Sequence, residues 1–252
     1  MRLTLSLIIE GRLVDASNGT YLCRDQETSE RFVYKPISGE RPLWDFPEGT
    51  LSFREVAAFN VSKLLGWDLV PDTTWVDEGP LGAGMVQQWI DSVNETGPVA
   101  LFDPDGIPTE WIPILTAQDA QGNPVVIAHE NSTNLSKVAL FDAVINNGDR
   151  KAGHLLRSND GDVYAIDHGV SFHPENKLRT VLWGWIDTTI DPEMLAALKR
   201  LRDLLADNHA DVDQWLSPEE SIALRSRIDR LIDSQRFPVP STQWPAVPWP
   251  VF

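Results

Sequence analysis

The run INNGDRKAGHLL, residues 145–156, is the part of this chain hardest to place in an arbitrary fold. It sets Asn146, Asn147, Asp149, Arg150, Lys151 and His154 between the apolar-striped segment SKVALFDAVI and the pair Leu155-Leu156. Helical periodicity ends where the polar run begins, and an apolar pair restarts immediately after it. The fold must bring such a loop to a boundary between buried elements, either as a polar turn or as a catalytic loop.

A chain of 252 residues with 42% hydrophobic content builds one large domain or two lobes. The single cysteine, Cys23, excludes an intrachain disulfide, and with five His residues whose spacing makes no ligand pattern it argues against a structural zinc site. A reduced, cytoplasmic setting is expected. No window reads as a membrane span, and the start MRLTLSLIIEGRLVD reads as a strand rather than a signal peptide. The formal net charge of −16 opposes nucleic acid and anionic membranes as partners. It does not oppose a nucleotide, because a metal ion and a few donors override the global field locally.

Residues 1–90 read as short strands with one helix, and residues 91–252 as a mostly helical unit. LTLSLIIEGRL and TYLC suggest a hairpin about the Asn-Gly turn at 15–19, RFVYKP and MVQQWI read as strands, and residues 51–66 as a helix closed by Gly66. The Pro-, Gly- and Asp-rich residues 91–128 read as loop. Helices are expected over 136–147, over 191–207 behind Asp191-Pro192, and over 217–233 behind a capping box from Ser217 to Glu220. The tail PVPSTQWPAVPWPVF cannot be helical and reads as an ordered strap packed through its tryptophans.

RSNDGD, residues 157–162, folds the chain back, so that Asp149 and the Asp167 of AIDHG can face one cleft. Two carboxylates there call for a cation; one can take Mg²⁺ and the other a proton from a hydroxyl nucleophile. Lys35, in an otherwise apolar strand, and Glu55, on the next helix, form a pair able to hold phosphates. The turn DASNGT, with Ser17 and Asn18, offers backbone N–H groups to cover them.

The segments VYKP, FREVAAF, VQQWI, NNGDRKAGHLL and AIDHG together resemble the phosphatidylinositol 3-/4-kinase-like superfamily, and YKPISGERPLWDFPEGTLSFRE resembles a small actinobacterial branch of it. The resemblance implies an α+β, two-lobed, protein-kinase-like fold: an antiparallel sheet plus helix in the N-lobe and a mostly helical C-lobe. It implies ATP as the nucleotide, Lys35 as the phosphate lysine with Glu55 as its partner, and a hinge at Gln88, Trp89 and Ile90 beside the adenine. Asp149 would be the catalytic-loop aspartate and Asp167 the Mg²⁺ ligand. His154 stands where the superfamily carries Asn as second metal ligand; imidazole suits Mn²⁺ better than Mg²⁺, or a phosphate contact.

The expected activity is transfer of the γ-phosphoryl group to a hydroxyl of a protein or small molecule, an inositol lipid being disfavoured by the charge. The alternatives are a pseudokinase-like nucleotide-binding regulator with a protein partner, and an adenylyl transferase using the same parts. Arg150 divides between a substrate contact and a structural brace. Asn146, Asn147 and His168 are expected to be architectural, and His173 to lie at the surface. Residues 39–50 read either as a packed loop or as a lid, with Arg41 and Asp45 as its polar members.

Overall fold

Apolar alternation builds the amino-terminal sheet, and the computed structural model describes residues 5–13, 18–41, 43–46, 49–92, 97–207 and 211–252. Strands β1 (Leu7–Arg12), β2 (Tyr21–Asp25), β3 (Arg31–Pro36), β4 (Thr73–Gly79) and β5 (Gly82–Gln88) form an antiparallel sheet in the order β1-β2-β3-β5-β4. Its inner face packs Cys23, Tyr34, Val76 and Val86. Helix α1 (Leu51–Leu65) crosses from β3 to β4 and ends at Gly66, whose left-handed backbone (φ 69°) suits a residue without Cβ. The turn at 14–17, including Ser17, lies outside the described residues.

The amino end of α1 is capped from a distance. Thr50 makes no side-chain cap. Instead Glu40 accepts from the amides of Leu51 (3.1 Å) and Ser52 (2.8 Å) and from the Ser52 hydroxyl (2.6 Å), placing a carboxylate at the positive end of the helix dipole. The Glu40 segment is held in turn by Asn18-Gly19. Gly19 N donates to Gly39 O at 2.8 Å, Asn18 Oδ1 accepts from Arg41 N at 2.9 Å, and a Cβ on Gly19 would meet Gly39 Cα at 3.0 Å.

Residues 97–130 correct the expectation of a loop. Strands β6 (Val99–Phe102), β7 (Trp111–Gln118) and β8 (Pro124–Glu130) make a second antiparallel sheet in the order β6-β8-β7. Turn residues in the connections dominate the composition there. The alternation of β7 is interrupted by Pro113, which sits at a register shift before Leu115, where a missing N–H is tolerated.

The remaining elements are helices α2 (Thr133–Ile145), α3 (Pro192–Ala206) and α4 (Pro218–Ser234), and the hairpin β9 (Leu155–Arg157)–β10 (Val163–Ala165). Helix α2 starts before the expected residue 136 because Ser132 caps it, accepting from Leu135 N. Asp191 and the Ser217–Glu220 box cap α3 and α4 as their spacing predicts. Ala57, Ala58, Val61 and Leu65 of α1 join the main core of α2, α3 and α4, so α1 is packed by the helical half as much as by the sheet. The α+β order of sheet, intervening helix and helical second half is the one expected for a two-lobed, protein-kinase-like chain. Among the described residues no helix is long and apolar enough to cross a membrane.

The proline-rich tail is an irregular strap that supplies acceptors to the interior. Ala246 O accepts from Thr180 N (3.1 Å) and from Trp183 Nε1 (2.8 Å), and Val251 O accepts from Ala152 N (2.8 Å) within the polar run 145–156. Trp244 stacks on Trp44 with centroids 5.9 Å apart. Deleting residues 243–252 should lower the melting temperature by about 5 °C or more, because it orphans three buried donors and uncovers apolar surface. A scanning calorimetry trace unchanged by the deletion would show that the strap adds nothing to the fold.

Candidate active site

Lys35 points from β3 to a junction of four elements. Its Nζ lies 2.5 Å from Glu55 Oε1 on α1 and 3.1 Å from Asp167 Oδ1, just beyond β10. Glu55 is 1% exposed, whereas half of the Asp167 side chain opens to the cleft. Asp167 adopts a left-handed backbone (φ 60°), which costs an L-residue roughly 1–2 kcal/mol and is tolerated best by Asp and Asn. His154, at the end of a 3-10 turn (Ala152–His154), sets Nε2 3.4 Å from Asp167 Oδ2.

These charges govern one another. Burial alone would lower the Lys35 pKa, but Asp167 and then Glu55 more than reverse it, and the ammonium is held above the ordinary lysine range. Lys35 holds Asp167 well below the usual carboxylate range, against the cost of burial. Burial pushes Glu55 up, yet Lys35 and then His168 bring it below its ordinary value. Burial takes His154 down to about 4 despite Asp167, so its ring is neutral at pH 7.

Lys35, Asp167, His154, Asn18, Gln88, Trp89 and Ile90 line one cavity of about 270 Å³, with Val33, Leu156 and Ile166 as apolar walls. Glu55 stands behind Lys35, outside that cavity. Phe32 pairs with Gln88 and Lys35 with Met85, so the 88–90 segment leaves the sheet three residues from Lys35. That is roughly 10 Å along the strand.

Asp149 lies in a neighbouring cavity of about 230 Å³ with Trp44, Asp45, Lys177, Arg179 and Trp244. Its amide donates to Asn147 Oδ1 at 2.9 Å. Its carboxylate sits 3.3 Å from Lys151 Nζ and 3.6 Å from Arg179 Nη2. Burial nonetheless raises its pKa, with Lys151 opposing. Lys177 Nζ sits beside the stacked Trp44–Trp244 pair, 4.6 and 4.8 Å from the two ring centroids, and 3.1 Å from Asp45. The 43–46 segment is therefore a wall of this cavity, and Asp45 is its polar contributor; Arg41 contributes its amide to Asn18 instead.

Arg150 resolves to a brace. It is fully buried, bonds Asp142 through Nε and Nη2, donates to Ile166 O (2.6 Å) and meets His168 Nε2 (2.8 Å). Asn146 is also architectural, donating to the carbonyls of His173 and Glu175. His173 is only part-exposed, with its ring edge-on to Phe46. The sequence reading gave no role to Lys151, Arg179, Asp142 or Glu40. Lys151 had a signal, its place two residues after Asp149; Asp142 had another, as the one acid in an apolar helix. Arg179 and Glu40 are brought in by tertiary structure alone.

No protein-family model matches the chain. Protein Rv2133c of Mycobacterium tuberculosis (strain ATCC 25618 / H37Rv) is 45% identical over 258 residues, which cover 98% of this chain and 92% of that protein. The chain belongs to the family of that protein. A solved structure of the Helicobacter pylori proinflammatory kinase CtkA is similar over 92% of this chain and 94% of its own, at 12% identity and a TM-score of 0.46.

Asp167 and Glu55 have folded pKa values below their unfolded ones, so the stability they contribute is full above the ordinary carboxylate range, starts to fall as pH drops into it and is lost through the lower folded values. Lys35→Met removes the cation responsible and strands the buried Glu55, at a cost of about 3–5 kcal/mol near neutral pH. Urea unfolding from pH 7 to pH 3 should show a flatter acid limb in Lys35→Met than in the parent. Parallel curves would mean that the three charges are not coupled.

Proposed function

We propose that this chain is an ATP-dependent phosphotransferase of the phosphatidylinositol 3-/4-kinase-like kind, acting on a hydroxyl acceptor. The observation that supports this reading best is the meeting of Lys35, buttressed by Glu55, with Asp167 and His154 in one cavity with the 88–90 segment. Val33, Leu156 and Ile166 offer apolar faces for a purine, and the Lys35 end offers a fixed cation for its phosphates.

Among the described residues no three ligating side chains cluster around a metal position. Magnesium is commonly held by one or two carboxylates, with phosphate oxygens and water completing its shell. Asp167, half open to the cleft, fits a cation that arrives on the nucleotide; neutral His154 beside it suits Mn²⁺ better than Mg²⁺. When bound, that cation would neutralise phosphate charge.

Asp149 takes the proton of the acceptor hydroxyl as the new oxygen–phosphorus bond forms and the bond to the ADP oxygen breaks. Burial, by raising its pKa, makes it a better base than a solvated aspartate. Lys151 and Arg179 orient its carboxylate and place positive charge beside the transferred group. The cavity at Asp149 suits an acceptor the size of a small molecule or a single side chain.

Labelled ATP tests the reading directly. Asp149→Asn should keep ATP binding and lose about 10²–10⁴-fold in transfer. Asp167→Asn should lose the metal-dependent rise in melting temperature that ATP gives the parent. His154→Asn should reduce any preference for Mn²⁺ over Mg²⁺. Wild-type transfer and binding in both aspartate variants would sink the proposal.

A further inference from the structure

A second polar site lies away from the cleft, where α4 meets the start of the tail. A cavity of about 340 Å³ there is lined by Arg227, Arg230 and Arg236, with Leu178, Phe237 and Pro238 among its apolar walls. Three guanidinium groups around one cavity run against the net charge of −16.

Arg227 is the least satisfied of the three. It is 7% exposed, so more than nine-tenths of it is buried. Nε donates to Val144 O (2.9 Å) and Nη1 to His173 O (3.2 Å), while Nη2 has no partner. Among the described residues no carboxylate forms an ion pair with Arg227 or Arg230. Glu220, which acts on Arg227 from further off, is bonded to Arg54. Burial first, and Arg230 second, pull the Arg227 pKa down to about 10. A buried cation without a counter-charge is costly, and the usual remedy is an anion. Asp187 also lines the cavity, but its carboxylate is committed to Arg236 at 2.6 Å.

We propose that this cavity is a binding site for a small anion on an apolar body, a carboxylate or phosphate monoester whose charge meets Arg230 and Arg236 at the rim over Arg227. The apolar walls take the body of the ligand, and the guanidinium forks take its oxygens. The site is separate from the nucleotide cleft and independent of the function proposed above. It does reach the polar run 145–156, because Arg227 and Asn146 both donate to His173 O.

Phenyl phosphate is the probe, with benzyl alcohol as its neutral counterpart, each followed by calorimetric titration. The parent should bind phenyl phosphate and the Arg230→Ala, Arg236→Ala double variant should not, since Lys35, the fixed cation of the cleft, belongs to the other cavity. Arg230→Ala and Arg236→Ala, at exposed positions where folding is not at risk, should each weaken binding about tenfold, as expected for loss of a charged hydrogen bond. Arg227→Lys, which keeps the charge, should bind more tightly than Arg227→Met. Failure of phenyl phosphate to bind the parent overturns the proposal. So does equal affinity for benzyl alcohol, or binding that the Arg230→Ala, Arg236→Ala double variant retains in full.

Discussion

Arg150 carries a full positive charge with none of its side chain exposed, and the cleft is assembled around the groups that satisfy it. Asp142, equally buried on α2, takes Nε and Nη2, and Ile166 O takes Nη1. Arginine only donates, so His168 Nε2, at 2.8 Å from Nη2, must be the acceptor, and the His168 proton then sits on Nδ1 facing Glu55. Nδ1 is 3.7 Å from Glu55 Oε2, too long for a hydrogen bond, and the link is electrostatic; the His168 amide makes the bond at 2.9 Å. From Glu55 the alternation continues to Lys35 and ends on Asp167, beside the neutral ring of His154. Charge of alternating sign thus runs from the helix before the polar run, through the loop, to α1 and the sheet. Removing any buried member leaves its neighbour uncompensated, a loss of about 3–5 kcal/mol.

Much of this architecture was legible in the sequence because local chemistry specifies it. Caps at Asp191 and Ser217, the glycine after α1 and the alternation of β3 act within a few residues, and each element formed where those signals stand. The second sheet was not legible. Pro, Gly and Asp in its connections masked strands of up to eight residues, and Pro113 within β7 is accommodated by a register shift visible only once β8 lies alongside. The cap of α1 was hidden for a related reason: Glu40 reaches it across eleven residues of chain, and no spacing rule covers that distance.

The site divides in the same way. Lys35, Glu55, Asp149 and Asp167 stand out in the sequence as charges placed against apolar patterns, and three of them converge within 3.1 Å of one ammonium or are that ammonium. Arg150 stood out equally and turned out to be interior scaffolding, since the sequence shows a charge without showing which way it faces. Arg179, Lys177 and the stacked Trp44–Trp244 pair come together from three distant stretches, so only the folded chain reveals the second cavity.

Helix α1 carries Glu55, and the residue before it fixes how far that helix can travel. Arg54 donates twice to Glu220 on α4, at 2.9 and 2.6 Å, and both residues are more than nine-tenths buried. Swinging α1 away from the helical half would have to break this pair and also uncover Ala57, Val61 and Leu65, so both charge and packing oppose the displacement. The Lys35–Glu55 contact is therefore a resident feature of the population, already formed before any ligand reaches the cleft.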